Sequence, residues 1–381
     1  MNQKRICFLF TLMSLLIVSS CSSIKKVLKI EGVKPAKNPL MVRWAKNLDP
    51  SYSTGNLPIG LGAPLIHEDI VFMGSSDGVM TAYSLDRGRV LWEVDEGRAL
   101  GAKGTFYKDH LIYGSLDGRV YSRHYLSHKL NYAIDLGSSV EDAPTIYKGR
   151  AIFHLRNHKL VCLDAETGKI LWAYKRSVPY NTTIQRVSAP MVLNGTIYVG
   201  FADGVLAAFN LDDGLMLWET ALSRGTKFVD VDTSPVMVGG LIWASPLTGP
   251  LSMVDPKTGV VKRTLSYRPS RKPIAYGDFV FIGTLDGDLV KLSKSTTAEI
   301  SSIKVTKRAI TSIITWKSKV AAATTDGLIH LIDPQTMKIE KTFSLGSAFS
   351  TIFGDMSSSD NYLAAYSARN RLYIFNNNQA F

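Results

Sequence analysis

The sequence predicts an all-β protein: an eight-bladed β-propeller of four-stranded antiparallel blades. Three observations predict it. The stretch "SSDGVMTAYSLDRGRVLWEV" (75–94) returns as "FADGVLAAFNLDDGLMLWET" (201–220). The Asp-Gly turn of that unit recurs at Asp77-Gly78, Asp117-Gly118, Asp203-Gly204, Asp286-Gly287 and Asp326-Gly327, with altered forms at Asn157-His158, Thr248-Gly249 and Arg369-Asn370. Each unit of ~40 residues reads as four short runs of β-branched and aromatic residues split by Asp/Gly turns, which is the pattern of hairpins stacked as propeller blades. No run keeps a helical period.

The elements follow in chain order. Lys4 and Arg5 precede a mostly apolar run from Ile6 to Val18. That run is too short to span a bilayer and has the length of a signal-peptide core, so residues 1–20 are expected to be a signal peptide. It ends in Val18-Ser19-Ser20-Cys21, which resembles the bacterial lipobox. The resemblance implies that Cys21 is lipidated and becomes the first residue of the mature chain. Ser22 after it implies sorting to the outer membrane. Residues 21–40 carry Lys25, Lys26, Lys29, Lys34 and Lys37 against Glu31 alone. They read as a flexible tether, either simply solvated or held to anionic headgroups.

Residues 41–381 are expected to form the propeller, with blades near 60–95, 100–135, 139–176, 186–220, 231–266, 270–305, 309–344 and 348–376. Trp92, Trp172 and Trp218 each lie 15 residues after the turn aspartate (or its counterpart) of their unit, and Tyr132 takes the same place in the second. Large aromatics at one place in the repeat suit packing between neighbouring blades. In the eighth unit that place would fall past Phe381. "MVRWAKN" (41–47) has the fourth-strand pattern, with Trp44 in the aromatic position and no strands of its own before it. It is expected to complete the last blade and close the ring, which protects strand edges from mispairing. Segments 177–185 and 221–230 are the longest inter-blade loops and flank blade 4, where function concentrates more readily than in strands.

Composition narrows the function classes. Lys and Arg number 44 against 32 Asp and Glu, a net charge of +12. Much of the excess sits near the N-terminus, so the propeller itself is only mildly basic and does not read as a nucleic-acid groove. Of the three cysteines, Cys7 would leave with the signal and Cys21 would carry lipid. Cys162, in "KLVCLD", then stands alone as a small core residue, and the mature chain can form no internal disulfide. His124/His128 and His154/His158 are each four apart, a metal spacing only on a helix. Here each pair straddles a strand end and a turn, so scattered core or surface histidine is the favoured reading over metal. No nucleotide loop, Ser-His-Asp spacing or zinc motif emerges. No catalytic residue, metal or cofactor is expected.

"LVCLDAETGKILWAY" (160–174) is similar to a Trp-rich repeat shared by two families. One is the quinoprotein dehydrogenases, which use pyrroloquinoline quinone. The other is the BamB-type lipoproteins of the outer-membrane β-barrel assembly machinery. The second resemblance covers nearly the whole chain and is sharpest at "DVDTSPVMVGG" (230–240), close to that family's Asp-Val-Asp-Thr-Thr-Pro-Val. It implies a non-catalytic scaffold, lipid-anchored in the outer membrane and facing the periplasm. It also implies that Asp230 and Asp232, with a companion loop, bind a POTRA domain of the barrel-forming subunit. The companion loop ends in Ser188-Ala189-Pro190, and "TTIQRV" (182–187) stands where the family has Leu-Ser-Leu-Arg-Gly-x. Ile184 aligns with the second leucine and Gln185 with the arginine, with Arg186 replacing that arginine one place later.

Read from the residues alone, Asp230 and Asp232 point to one side of an extended chain. Their place at the start of the fifth blade makes them a rim feature suited to a basic partner. The rival readings are a calcium site, a catalytic pair and a solvated turn. Unfolded outer-membrane proteins are a second expected partner, through strand addition. Two other functions compete: a periplasmic propeller for another ligand such as cell-wall sugar, and a quinoprotein dehydrogenase. The last typically needs a calcium site and often an adjacent cysteine pair, which this chain lacks.

Overall fold

The computed structural model describes residues 40–50, 62–101, 103–178, 187–225, 227–247, 249–346 and 350–376, all within the compact unit Ala36–Phe381. The signal segment, Cys21 and tether residues 22–39 lie outside the described residues. Leu40, expected in the flexible tether, instead belongs to the ring: it is 1% exposed in the cluster of blades 7 and 8, and its amide donates to the Thr342 carbonyl at 3.1 Å. Thirty-two strands make eight four-stranded antiparallel sheets, and no helix occurs among the described residues. Blade 1 is β2 (Leu65–His67), β3 (Ile70–Gly74), β4 (Val79–Ser84) and β5 (Val90–Asp95), hydrogen-bonded in that order. Six more blades repeat it: β6–β9 within 105–135, β10–β13 within 145–175, β14–β17 within 191–221, β18–β21 within 236–265, β22–β25 within 274–304 and β26–β29 within 310–344.

The eighth blade is split, as the sequence predicts. β30 (Ser357–Ser358), β31 (Tyr362–Ser367) and β32 (Arg371–Asn376) supply its inner three strands. β1 (Val42–Asn47) pairs antiparallel with β32 as the outermost, with Trp44 opposite Ile374 and Asn47 opposite Arg371.

The burial pattern explains why the blades need each other. The middle strands are apolar on both faces, so β3 is buried at every residue. The outer strands alternate, as in β13 (Ile170–Lys175), and show one side to water. Eight apolar clusters result, and each is built by two adjacent blades. Phe72 and Trp92 of blade 1 pack with Leu111 and Tyr113 of blade 2. At the closure, Val71 and Tyr83 of blade 1 pack with Tyr366 and Ile374 of blade 8, and Trp44 packs against them. Cys162 lies in the cluster between blades 3 and 4, and burial pushes its thiol up to about 11. It is an inert core residue.

The Asp-Gly turn joins the second and third strands. Gly78 has φ 102°, a conformation that L side chains resist, and a Cβ there would meet the Arg98 backbone nitrogen at 2.7 Å. Two of the altered turns meet the same demand with His158 at φ 60° and Asn370 at φ 54°.

The outer-strand aromatics act as clips to the next blade. Trp44 Nε1 donates to the Leu85 carbonyl at 2.8 Å, Trp92 Nε1 to Tyr125 at 2.8 Å, Trp172 Nε1 to Leu211 at 2.9 Å and Trp218 Nε1 to Pro256 at 3.0 Å. The Tyr132 hydroxyl reaches the Ala165 carbonyl at 3.4 Å. Every acceptor lies in the turn between the third and fourth strands of the following blade. Arg263 takes this place in blade 5 and donates to the Thr296 carbonyl at 2.9 Å, a substitution the aromatic pattern did not reveal.

Two outcomes test this account. Trp92→Ala removes a buried aromatic and its clip at once, and should cost ~3–5 kcal/mol in urea unfolding. A loss under ~1 kcal/mol would match an exposed residue instead. Deleting residues 41–47 strips the outer strand from blade 8 and should lower the thermal midpoint of the whole ring. An unchanged midpoint would show that closure by β1 contributes no stability.

Candidate docking surface at the junction of blades 4 and 5

Residues 229–235 run from the loop after blade 4 into blade 5, and both blades hold them. The Val231 amide donates to the Phe201 carbonyl of blade 4 at 3.0 Å, and the Leu247 amide of blade 5 donates to the Asp230 carbonyl at 2.8 Å. The fit against blade 4 is close: a Cβ on Gly200 would lie 2.3 Å from the Val231 carbonyl oxygen. Thr233 Oγ1 donates to the Ser245 carbonyl at 2.8 Å and accepts the Ser245 amide at 3.0 Å.

The companion segment meets it here. Ser188 Oγ donates to the Thr233 carbonyl at 3.3 Å, and the Ala189 amide donates to Ser234 Oγ at 3.0 Å. The two segments picked out by the sequence, Ser188-Ala189-Pro190 and Thr233-Ser234-Pro235, are thus stitched side by side as equivalent starts of blades 4 and 5. Ile184, Gln185 and Arg186 lie outside the described residues.

The aspartates depart from the expected rim. Asp230 is 0% exposed and Asp232 6%, so both carboxylates are turned into the protein rather than offered to a basic partner. Spacing on an extended chain puts two side chains on one side, but it does not say which side faces water. What the neighbouring loop does show to solvent is Arg224, Lys227 and Phe228.

A buried histidine pair supports the same junction. His154 Nδ1 lies 2.8 Å from the Ser188 carbonyl and must donate to it, which leaves Nε2 unprotonated, buried and without a hydrogen bond. The His154 ring meets Phe201 edge-on at 5.2 Å and lies 6.0 Å from the His158 ring. Both His158 ring nitrogens are also buried without a hydrogen bond. Arg176 closes the cluster: it pairs with Asp203 at 2.7 Å and Glu219 at 2.8 Å and lies over Phe201 at 5.2 Å. Burial holds His154 neutral, down to about 4, and lowers His158 in spite of Asp203 nearby. The four-residue spacing of these histidines signals nothing by itself. Only the turn that folds His158 back beside His154 brings them together.

The other pair does local work. His124 Nδ1 accepts the Ser127 amide at 3.2 Å, and His128 sits in the same turn at φ 51°. No three-residue cluster of His, Cys, Asp or Glu suited to a metal occurs among the described residues. Between the starts of several blades, Lys103, Asp142, Val187 and Asp355 help line a small, open polar cavity.

The repeat, the split blade and the paired Ser188/Thr233 segments point to one family, and the comparisons agree. The family model described as outer membrane protein assembly factor BamB matches residues 76–302, more than half of the chain. The chain belongs to that family. It is 26% identical over 320 residues to the outer membrane protein assembly factor BamB of Kangiella koreensis, covering 71% of this chain and 82% of the relative. The crystal structure of BamB from Moraxella catarrhalis superposes with a TM-score of 0.73 at 19% identity, covering 88% of this chain and 99% of that one. A quinohemoprotein alcohol dehydrogenase from Comamonas testosteroni superposes at 0.68 with 13% identity, covering 90% and 77%. At that identity the likeness is one of fold alone, and fold does not carry function.

The histidine pair gives a pH prediction. A folded-state value near 4 against an unfolded value of ~6.5 means that folding favours neutral His154. Its contribution is complete above pH ~6.5 and fades as pH falls towards ~4, by on the order of 3 kcal/mol. His154→Gln keeps a donor for Ser188 and removes the titration. Its denaturation midpoint should fall less than the native chain's between pH ~7 and ~4. Parallel declines would show that His154 does not titrate on unfolding.

Proposed function

We propose that this chain is a non-catalytic scaffold of the outer-membrane β-barrel assembly machinery. It docks a POTRA-type domain of the barrel-forming subunit on the loop face around blades 4 and 5. The observation that carries this reading is the stitching of Ser188-Ala189 to Thr233-Ser234, which makes one fixed platform from the two segments tied to docking by the family resemblance. Asp230 and Asp232 belong to that platform as its framework, and 184–186 as its companion loop. Relatives named as assembly factors support the role. Lipid on Cys21 would hold the ring at the periplasmic side of the outer membrane.

The outer strands support a second contact. Leu91, Leu171 and Leu217 are 52%, 43% and 53% exposed on strands that are sheet edges among the described residues. Unfolded outer-membrane proteins could add a strand there. Such binding needs no reactive group, in keeping with a scaffold.

Charge removal without change of shape tests the platform. Asp230→Asn with Asp232→Asn should reduce co-purification of the barrel-forming subunit from native membranes by at least ~10-fold. The melting curve reports whether the ring persists. A folded double variant that co-purifies as the native chain does would remove the aspartates from docking.

A further inference from the structure

We infer that the partner presents an acidic surface to this chain. The contact is made by a cationic arc on the loops after blades 4, 5 and 6: Arg224 and Lys227 beside Phe228, then Lys272, Lys307 and Arg308. This deepens the docking reading above and rests on it.

All five cations are exposed, and none has an ion pair among the described residues. The reason lies in how the acids of the same face are used. Asp203 is taken by Arg176 at 2.7 Å. Arg268 grips both oxygens of Asp286 at 2.7 and 2.9 Å. Lys304 holds Asp288 at 3.2 Å, and Asp326 accepts the Thr306 hydroxyl at 2.9 Å. Asp230 and Asp232 are buried. These carboxylates are committed within the chain or buried, and on the loops after blades 4, 5 and 6 the charge shown to solvent is mainly positive; Asp355, exposed by the cavity near Lys272, is the exception.

The arc is also held in shape. The Leu222 amide donates to the Gly204 carbonyl at 2.8 Å, the Leu285 amide to Arg268 at 3.0 Å, and the Val305 amide to Gly287 at 3.0 Å. Each loop is thereby pinned to the Asp-Gly turn beside it. Phe228 follows Lys227 in the loop after blade 4, 48% exposed and with φ 54°, a costly conformation for a bulky residue. Fixed charges with an exposed aromatic beside two of them suit a folded, carboxylate-bearing domain with an apolar hollow. A fluid lipid surface would gain nothing from the fixed pattern.

The test uses the full mature chain and the purified periplasmic domain of the barrel-forming subunit. The charge-reversed variant R224E/K227E/K272E/K307E/R308E should bind at least ~10-fold more weakly at low salt. Raising NaCl from ~0.05 to ~0.5 M should weaken the native chain far more than the reversed one. The charge-preserving variant R224K/K227R/K272R/K307R/R308K should bind as the native chain does and controls for folding. If the native chain binds and the reversed variant matches it within ~2-fold, the cationic arc is refuted while docking stands. If the native chain does not bind, the docking reading fails and this one with it. Vesicles containing phosphatidylglycerol are the second probe. Retention of the native chain but not the reversed variant, with equal domain binding by both, would assign the arc to lipid and overturn the proposal.

Discussion

A four-stranded sheet whose middle strands are apolar on both faces cannot stand in water. β3 and its counterparts leave no polar side to expose, so each blade must be covered by another on either flank. Covering one blade uncovers the next until the last meets the first. That requirement makes the ring, and it makes β1 structural: without it, blade 8 has no outer strand to carry the Trp44 clip to Leu85. The eight apolar clusters all sit between blades, which is why removing one aromatic acts on two blades together. Each inter-blade loop starts and ends on a packed sheet.

The ring was readable in the sequence because the same physical demands recur in every blade. A tight turn that needs positive φ brings Gly back at a fixed interval, and even His158 and Asn370 betray the turn by their place in the count. A tryptophan that must bury its ring and still find an acceptor returns at one position. Arg263 escaped this logic because it meets the same acceptor with a guanidinium. The carbonyl in the next blade is what recurs, and more than one side chain can reach it. Pattern reading finds the common solution and passes over the rare one.

The site was only half readable, and the missing half concerns direction. Repeat counting placed 228–240 correctly at the start of blade 5. It could not tell that the chain there is clamped between Phe201 and Leu247, which comes from hydrogen bonds to two different blades. The clamp decides that Asp230 and Asp232 face inward. The histidine support was equally hidden, since His154 matters through one carbonyl, that of Ser188, in the neighbouring blade. Contacts between blades are long-range in sequence, and no local pattern records them.

Burial changes what the acidic motif can do. A carboxylate turned away from solvent cannot meet a partner's side chains directly. It can fix the shape of the segment around it. Attraction must then come from groups that remain in water, and around this junction those are Arg224, Lys227 and Phe228. In the proposed docking, geometry and attraction therefore fall to different residues: the buried aspartates to the framework, the exposed cations to the sign of the field. A surface built this way can change its charge pattern without disturbing the clamp.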